Sequence, residues 1–99
     1  MDDDHHRKSI ELSDAILHLK TKNEVDNFLI DLCTPNEIKT LKERWKVCQL
    51  LAIGDLSYRE IHKITGASLT TIGRVARFLR DESYGGYRNL LKKTREQNV

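Results

Sequence analysis

The sequence has little of the residue types that mark membrane, disulfide-rich or disordered proteins. It contains one proline and two cysteines in 99 residues, and only 6% of the residues are aromatic. No apolar run approaches the roughly 20 residues that a membrane span requires, and the acidic segment Asp2–Asp4 is unlike a signal peptide. We therefore expect a cytoplasmic protein with no membrane association.

The cysteines and histidines form no metal or disulfide signature. Cys33 and Cys48 are far apart and have no CxxC motif, so we expect reduced core thiols on apolar helical faces, with a metal or disulfide role as the alternative. His5 and His6 follow Asp2–Asp4, but an exposed terminus lacks the fixed geometry of a metal site. No nucleophile and base are spaced as a catalytic pair. We expect no metal, no cofactor and no enzymatic activity.

The remaining composition is typical of a small helical protein. Hydrophobic residues make up 38% and charged residues 32% of the chain, which favours an all-α fold over a β-sandwich or a disordered tail. A domain of 99 residues buries a limited fraction of its surface, so a partner subunit would stabilise it. We expect a single domain, residues 1–99. It would consist of dimerisation helices (1–56), a helix-turn-helix (57–80) and a C-terminal turn and helix (81–99).

The net charge of +2 conceals an asymmetry along the chain. Residues 1–33 contain four Lys/Arg and eight Asp/Glu, a net charge of −4, whereas residues 34–99 contain thirteen and seven, a net charge of +6. The positive part should attract a polyanion such as DNA, because neutralising phosphates releases condensed counterions. A solvated surface would also tolerate this charge.

Three capping boxes divide the chain into helices. In each box a hydroxyl residue is followed three positions later by glutamate, so both side chains can satisfy free backbone N–H groups at a helix start. The boxes are Thr21–Glu24, Thr34–Glu37 and Ser57–Glu60. A first amphipathic helix is predicted over Ser9–Lys20, and Pro35 suits the first position of the helix after Thr34.

The helix predicted from Pro35 to Ile53 is apolar on two faces. One stripe consists of Ile38, Leu41, Trp45, Cys48 and Ala52, and Val47, Leu50 and Leu51 form the second. A monomer of this size can hardly bury both faces, which indicates a homodimer. We expect Trp45 to be a core residue rather than to stack on a ligand. Gly54 and Asp55 are expected to end the helix.

A helix-turn-helix is predicted over Ser57–Arg80. Ser57 opens a helix of about eight residues, and Gly66 supplies the positive φ of a tight turn before Ser68 caps the next helix. The residues expected to face inward are Ile61 and Ile64 in the first helix and Leu69, Ile72, Val75, Ala76 and Leu79 in the second.

The other face of the second helix has the features of a DNA-reading surface. A major groove admits one helix, whose first residues must be short enough to approach base edges while arginines reach guanine or phosphate. The short residues at the start of this helix are Ala67, Ser68, Thr70, Thr71 and Gly73. The basic residues are Arg74, Arg77 and Arg80 on the same helix and Arg59 and Lys63 on the preceding one. The alternative is an ordinary corner of two helices with a solvated face. The absence of any acid within Arg74–Arg80 favours DNA binding.

Three motifs between Leu32 and Leu91 are informative together. They are TP-x-E at residues 34–37, ITGAS-x-x-TI-x-RV at residues 64–75 and YGGY at residues 84–87. The region that contains them resembles the Trp-repressor superfamily, particularly its YerC/YecD branch. The resemblance implies a bacterial, nucleoid-associated protein whose subunits intertwine through N-terminal helices into a two-fold dimer with two helix-turn-helix heads. The YGGY segment is expected to end the reading helix and lead into a last helix with Leu90 and Leu91, or to be a flexible linker.

The resemblance also implies which residues contact double-stranded DNA. They are Tyr58, Arg59 and His62 on the first helix of the motif and Leu69, Thr70, Thr71 and Gly73 on the reading helix. To these we add, from charge, size or position, Lys63, Ala67, Ser68, Arg74 and Arg77. We expect a dimeric, sequence-specific DNA-binding transcription regulator that acts as a repressor.

The tryptophan repressor holds its ligand with a threonine and two arginines, and by resemblance the matching residues are Thr34, Arg44 and Arg74. Where the repressor has glycine and serine, this chain has Val75 and Phe78, whose bulk should occupy the space of an indole ring. We therefore expect tryptophan not to be the corepressor. A repressor gated by another small ligand, and a protein-interaction module built on the same fold, are the alternatives.

Overall fold

The computed structural model describes residues 9–97, and this part of the chain contains six α-helices and no strand. The helices are α1 (Leu12–Leu17), α2 (Lys22–Leu32), α3 (Pro35–Ile53), α4 (Tyr58–Thr65), α5 (Leu69–Arg80) and α6 (Gly86–Gln97). The expected all-α fold is confirmed. The residues form two compact units, of which the first ends at Ile38 and the second begins at Lys39.

None of the described helices has the length and apolar character required to cross a membrane. No cluster of side chains suited to a metal ion lies within the described part of the chain. The candidate pair His5 and His6 lies outside the described residues.

The first helix, α1, is shorter than the helix predicted over Ser9–Lys20, because it ends at Leu17. Beyond it, the backbone N–H groups of Lys20 and Thr21 donate to Glu24 Oε1 at 2.9 and 3.1 Å. These bonds belong to the capping box of α2, which holds Thr21 in an extended conformation with φ −122° and ψ 157°. An extended residue cannot continue a helix, so α1 and α2 are separate helices.

The apolar side chains of α1 and α2 remain uncovered in this chain. Neither helix has a buried residue. The exposed large apolar residues up to the end of α2 are Ile10, Leu12, Ile16, Leu17, Val25, Ile30 and Leu32. The first unit by itself therefore presents exposed apolar side chains.

The third helix, α3, begins and ends where the sequence predicts. The Thr34 hydroxyl accepts the Glu37 N–H at 3.1 Å, and the Glu37 carboxylate accepts the Thr34 N–H at 2.8 Å. Hydrogen bonds from the Thr34 backbone and hydroxyl hold the pKa of Glu37 below its usual value. The helix ends at Ile53, and Gly54 follows with a φ of +88°.

The two cysteines are free and lie in different environments. Cys48 is fully buried in α3, and burial raises the pKa of its thiol to about 11. Cys33 directly follows α2 in an extended conformation, with φ −114° and ψ 153°. The expectation that Cys33 lies on a helical face was wrong, because the capping box at Thr34 starts a new helix at this point.

The core of the second unit is formed by α3 to α6. Its buried residues are Val47, Cys48, Leu51, Ile61, Ala67, Ile72, Val75, Ala76, Leu79 and Leu91. Trp45 is partly buried against this core, as expected of a structural residue. Because α4 packs on α5 and α5 packs on α6, the core fixes the two helices of the predicted motif against each other.

The YGGY segment spans the start of α6: Tyr84 and Gly85 precede the helix, and Gly86 and Tyr87 are its first two residues. The preceding helix α5 ends at Arg80, so the segment does not itself end that helix as expected. Gly85 is buried and has a φ of +73°, a conformation that favours glycine, and α6 follows directly. Both observations favour the turn over the flexible-linker alternative.

Arg88 joins the start of α6 to the end of α5. Its Nη1 donates to the Leu79 carbonyl oxygen at 2.7 Å, and its Nη2 donates to the Glu82 carbonyl oxygen at 3.3 Å. The last carbonyl groups of a helix have no intrahelical partner, and a cation near them is favourable. Arg88 therefore supports the C-terminal end of α5.

Candidate nucleic-acid interface

Helix α4 begins with the third capping box. The Glu60 N–H donates to Ser57 Oγ at 3.1 Å, and the Ser57 N–H donates to Glu60 Oε1 at 3.0 Å. Bonds from the Ser57 backbone and hydroxyl hold the pKa of Glu60 below its usual value. Ile61 is fully buried as predicted, but Ile64 is 56% exposed and was wrongly assigned to the core. The buried turn residue Ala67 supplies the apolar contact at this end of the helix instead.

The turn between α4 and α5 is fixed by a small set of hydrogen bonds. Gly66 has a φ of +76°, and its N–H donates to the His62 carbonyl oxygen at 2.8 Å. The Thr65 hydroxyl donates to the Ile61 carbonyl oxygen at 2.8 Å and accepts the Ala67 N–H at 3.1 Å. The predicted succession of helix, turn and helix is thus present.

His62 takes part in this turn through its ring. Its Nδ1 lies 2.6 Å from the Ala67 carbonyl oxygen, a contact in which Nδ1 must be the protonated nitrogen because the carbonyl only accepts. The residue is exposed. The predicted DNA contact of His62 would therefore use Nε2, while Nδ1 contacts the Ala67 carbonyl oxygen in the turn.

The start of α5 presents short polar side chains to solvent. Ser68 Oγ accepts the Thr71 N–H at 3.1 Å and donates to Thr71 Oγ1 at 3.0 Å, so Ser68 caps the helix as predicted. Thr70 is exposed and Thr71 is half-buried. Leu69 was wrongly assigned to the buried stripe, because it is 52% exposed at the first helical position. The other four predicted stripe residues, Ile72, Val75, Ala76 and Leu79, are buried.

The exposed residues of α4 and α5 meet in a concave surface. A cavity of about 750 Å³ lies between the two helices. Its lining residues are Arg59, Glu60, His62, Lys63, Ser68, Leu69 and Thr70. The exposed Tyr58 belongs to the same helix α4. Six of the predicted DNA-contact residues thus share one surface, and two of them, Arg59 and Lys63, are basic.

Two small residues of the predicted reading surface are placed differently. Ala67 is 0% exposed, so its side chain belongs to the core and any DNA contact there must come from its backbone. Gly73 is half-buried in the middle of α5, and a Cβ atom at this position would meet nothing within 4 Å. Nothing in the described chain requires glycine at position 73.

The three arginines of α5 already have contacts in the free chain. The Arg74 guanidinium lies 4.6 Å from the centroid of the Phe78 ring. Arg77 pairs with Glu82, and its Nη2 lies 2.7 Å from Glu82 Oε1. Arg80 Nη2 donates to the Leu51 carbonyl oxygen at 3.4 Å. Since these side chains remain exposed, they are available to an anion only in competition with these contacts.

The residues predicted to block a ligand pocket line a cavity rather than fill it. Val75 is 1% exposed in the core, and the ring of Phe78 stacks on Tyr84 with 6.3 Å between centroids. A cavity of about 480 Å³ lies beside them. Its lining residues are Trp45, Arg74, Val75, Phe78, Tyr84, Gly86, Tyr87 and Leu90. A partly aromatic pocket therefore persists despite the bulk of Val75 and Phe78.

The three positions matched to ligand-binding residues differ in their surroundings. Thr34 caps α3 through its hydroxyl and lies in the first unit. Arg44 is half-buried, and its Nε is buried without a hydrogen-bond partner among the described residues. Arg74 lines the cavity. An unpartnered buried donor is uncommon in native proteins, so Arg44 Nε is a candidate for a contact outside this chain.

Sequence reasoning missed Glu82, Tyr84 and Arg88. Glu82 lies five positions after Arg77, outside the spacings of three and four that mark pairs on one helix. Tyr84 and Arg88 act across the turn between α5 and α6, and the YGGY motif was the only signal near them. Long-range placement of this kind is not encoded in local spacing.

Comparisons with known proteins agree with this geometry. The family model for the Trp repressor protein matches residues 8–95. The YerC protein of Bacillus subtilis (strain 168) is 41% identical over 88 residues, which cover 87% of this chain and 81% of YerC. A Trp operon repressor homolog from Aliivibrio salmonicida (strain LFI1238) is 36% identical over 59 residues, which cover 60% of this chain and 55% of that protein.

Two solved structures share the fold over most of their length. A TrpR-like protein from Eubacterium eligens ATCC 27750 has a TM-score of 0.77 and 38% identity, covering 84% of each chain. A candidate Trp repressor from Staphylococcus aureus has a TM-score of 0.80 and 34% identity, covering 96% of each chain. The chain therefore belongs to the Trp repressor family of DNA-binding transcription regulators, as a YerC-type member.

Proposed function

We propose that this protein is a homodimeric, sequence-specific DNA-binding regulator that reads the major groove with α5 and represses transcription on the bacterial nucleoid. The observation that carries the proposal is the exposed, short-chained polar face of α5, on a helix whose opposite face is buried. A helix with such a face can approach base edges closely. A dimer bound at a promoter would exclude other proteins from that DNA.

The surface beside α5 supports phosphate contacts. Arg59 and Lys63 lie on α4, at the concave surface that also includes Ser68 and Thr70. Phosphate contacts position a protein on the duplex, whereas contacts to base edges select the sequence. We assign Arg59 and Lys63 to phosphate, and Leu69, Thr70 and Thr71 to base edges.

The dimer is supported by the uncovered apolar side chains of the first unit. Leu17 is 80% exposed and Ile30 is 63% exposed. Apolar surface of this extent on a soluble protein marks an interaction site. Sedimentation at micromolar concentration is expected to give twice the 11.5 kDa mass of the chain. We expect Leu17→Lys to shift the equilibrium towards monomer. Wild-type protein that sediments with the mass of a single chain would contradict the dimer.

DNA binding is proposed to be independent of tryptophan. Val75 and Phe78 stand where the repressor has smaller residues, and the Arg74 guanidinium rests on the Phe78 ring. The larger side chains of Val75 and Phe78 reduce the room available to an indole amino acid. Micromolar tryptophan binding measured by calorimetry would overturn this part of the proposal.

A second candidate function is a repressor gated by a different small ligand. The cavity of about 480 Å³ beside Trp45 and Tyr87 favours it, because a regulator that binds DNA without any small ligand needs no such pocket. The two candidates differ in whether the free dimer already binds its operator. Purified protein that binds selected DNA with no additive supports the first candidate, and binding that requires a cell extract filtrate supports the second.

The main test selects bound duplexes from a random pool and measures their affinity against salt concentration. Recovery of a two-fold symmetric site, with half-sites about 34 Å apart, is expected for a dimer. Lys63→Gln should flatten the dependence of log Kd on log salt by about 0.9, the contribution of one phosphate. The matched control is Lys92→Gln on α6, an exposed lysine outside the motif, which should leave the slope unchanged.

The protein-interaction alternative predicts a different result. A helix-turn-helix head that docks on another protein should show no affinity for any duplex at low salt. That outcome would overturn the DNA-binding proposal. If the protein binds duplexes without sequence preference, DNA binding stands and the proposed sequence specificity is contradicted.

A further inference from the structure

The Arg77 side chain is held in an ion pair at the end of the reading helix. Its Nε and Nη2 atoms each lie 2.7 Å from the same oxygen, Glu82 Oε1. The guanidinium also lies over the Phe78 ring, 5.4 Å from the ring centroid. The Nε–Nη2 edge, which can offer two parallel N–H groups to an anion, is therefore occupied in the free protein.

The two partners differ in how firmly they are held. The Glu82 N–H donates to the Arg77 carbonyl oxygen at 3.1 Å, and the Glu82 carbonyl oxygen accepts Arg88 Nη2 at 3.3 Å. The Glu82 side chain is 28% exposed, whereas the Arg77 side chain is 65% exposed. The carboxylate is the fixed partner, and the long arginine side chain is the one that can turn towards another anion.

We propose that Glu82 competes with DNA phosphate for Arg77 and thereby lowers both the affinity and the salt dependence of DNA binding. The inference rests on the proposed DNA-binding function and names a residue that tunes it. A phosphate must displace the carboxylate before Arg77 acts as a phosphate contact. Glu82 is a positioning residue that acts through Arg77 and does not itself contact DNA.

The electrostatic argument depends on the neutrality of the pair. A guanidinium and a carboxylate at 2.7 Å carry no net charge, so together they add little to the field that attracts a duplex. An exposed ion pair contributes little to stability. Loss of the Glu82 charge should therefore leave the fold intact and release one full positive charge on α5.

The neighbouring Asp81 provides a matched comparison. It is also an acid directly after α5, and it is exposed. Among residues 9–97, its carboxylate has no hydrogen bond or ion pair. Replacement of Asp81 removes the same charge one position away without releasing an arginine.

The experiment measures the Kd of a fluorescein-labelled, mixed-sequence duplex of about 30 base pairs by anisotropy over a series of salt concentrations. Glu82→Gln is expected to bind roughly two- to fivefold more tightly than wild type at low salt. Its plot of log Kd against log salt should steepen by about 0.9, as for one added phosphate contact. Asp81→Asn should show a smaller gain and no steeper slope.

Arg77→Gln and the double variant complete a double-mutant cycle. If Glu82 acts through Arg77, then Glu82→Gln should have no more effect than Asp81→Asn once Arg77 has been replaced. Thermal unfolding of each variant confirms that the fold is retained.

The outcomes separate this inference from the proposed function. A Glu82→Gln variant that binds like Asp81→Asn overturns the inference and leaves DNA binding intact. A Glu82→Gln variant that binds more weakly than wild type also overturns the inference, because the ion pair between Arg77 and Glu82 would then pre-orient Arg77 for phosphate. Wild-type protein that binds no duplex at low salt overturns the proposed function, and this inference with it.

Discussion

The substitution Gly73→Ala separates the demands of folding from those of DNA binding. Gly73 lies in the interior of α5, where glycine is less favourable than alanine by about 1 kcal/mol. A Cβ atom there would meet nothing within 4 Å, so the added methyl group causes no clash within the described chain. For a domain of this size, a gain of about 1 kcal/mol raises Tm by about 4–8 °C. We therefore expect Gly73→Ala to be more stable than wild type.

The same methyl group should weaken DNA binding. It extends from the face of α5 that is proposed to enter the major groove, where a closely packed contact leaves no room for an extra carbon. Overpacking by one methyl group costs about 1–3 kcal/mol, which corresponds to roughly 5- to 150-fold in Kd. Fluorescence anisotropy with the selected duplex measures this loss, and differential scanning calorimetry measures the Tm.

The control is Gly86→Ala at the start of α6. A Cβ atom at Gly86 also meets nothing within 4 Å, and this glycine lies outside the helix-turn-helix. Gly86→Ala should bind DNA like wild type. If Gly73→Ala is more stable and also binds with wild-type affinity, the exposed face of α5 does not approach the DNA, and the proposed reading surface is wrong.

Three further predictions concern acid, thiol chemistry and the end of α5. Because Ser57 lowers the pKa of Glu60, the stabilisation from Glu60 is complete above its unfolded-state pKa of about 4.3 and is lost as pH falls through the lower folded pKa. Glu60→Gln should therefore flatten the fall of the urea midpoint on acidification. Cys33 should react with a thiol reagent in the native protein, whereas Cys48, with a pKa of about 11, should react only after unfolding. Arg88→Met should lower stability by about 1 kcal/mol, measured by urea unfolding, because the last carbonyls of α5 lose a charged donor.

Each of these predictions has its own control. Glutamine can still form a capping box, so Glu60→Gln should unfold like wild type at neutral pH. Rapid labelling of both cysteines in the native state would contradict the burial of Cys48. Lys93→Met on the same helix α6 removes an exposed charge, and a loss of stability equal to that of Arg88→Met would show that charge alone is responsible.

The sequence predicts the helix boundaries well because capping is local. The boxes at Thr34 and Ser57 and the positive φ of Gly66 involve residues within five positions of one another, and each is found as expected. The length of α1 was overestimated because apolar spacing alone does not specify where a helix begins or ends, and the helix spans only Leu12–Leu17. Periodicity indicates a possible helix, and local capping signals are needed to place its ends.

The ion pair between Arg77 and Glu82 was not predictable in the same way. Its geometry depends on the turn after Arg80, where the Asp81 and Glu82 N–H groups both donate to the Arg77 carbonyl oxygen, at 2.8 and 3.1 Å. The aromatic lining of the cavity beside Phe78 likewise depends on the path of the chain from Tyr84 into α6. These features follow from tertiary placement, which one-dimensional spacing does not specify.

One of the two errors in the predicted core of the motif, Leu69, lies at the proposed DNA interface. Ile64 and Leu69 are apolar and flank the turn, yet they are 56% and 52% exposed. Sequence-level reasoning is expected to fail where function overrides packing. Leu69 is the first residue of α5, at the end of the proposed reading helix that would approach base edges, and an apolar side chain there can contact a thymine methyl group. Leu69 and Gly73 thus support the same proposal: each is suboptimal for the isolated fold, and each suits a major groove against that face of α5.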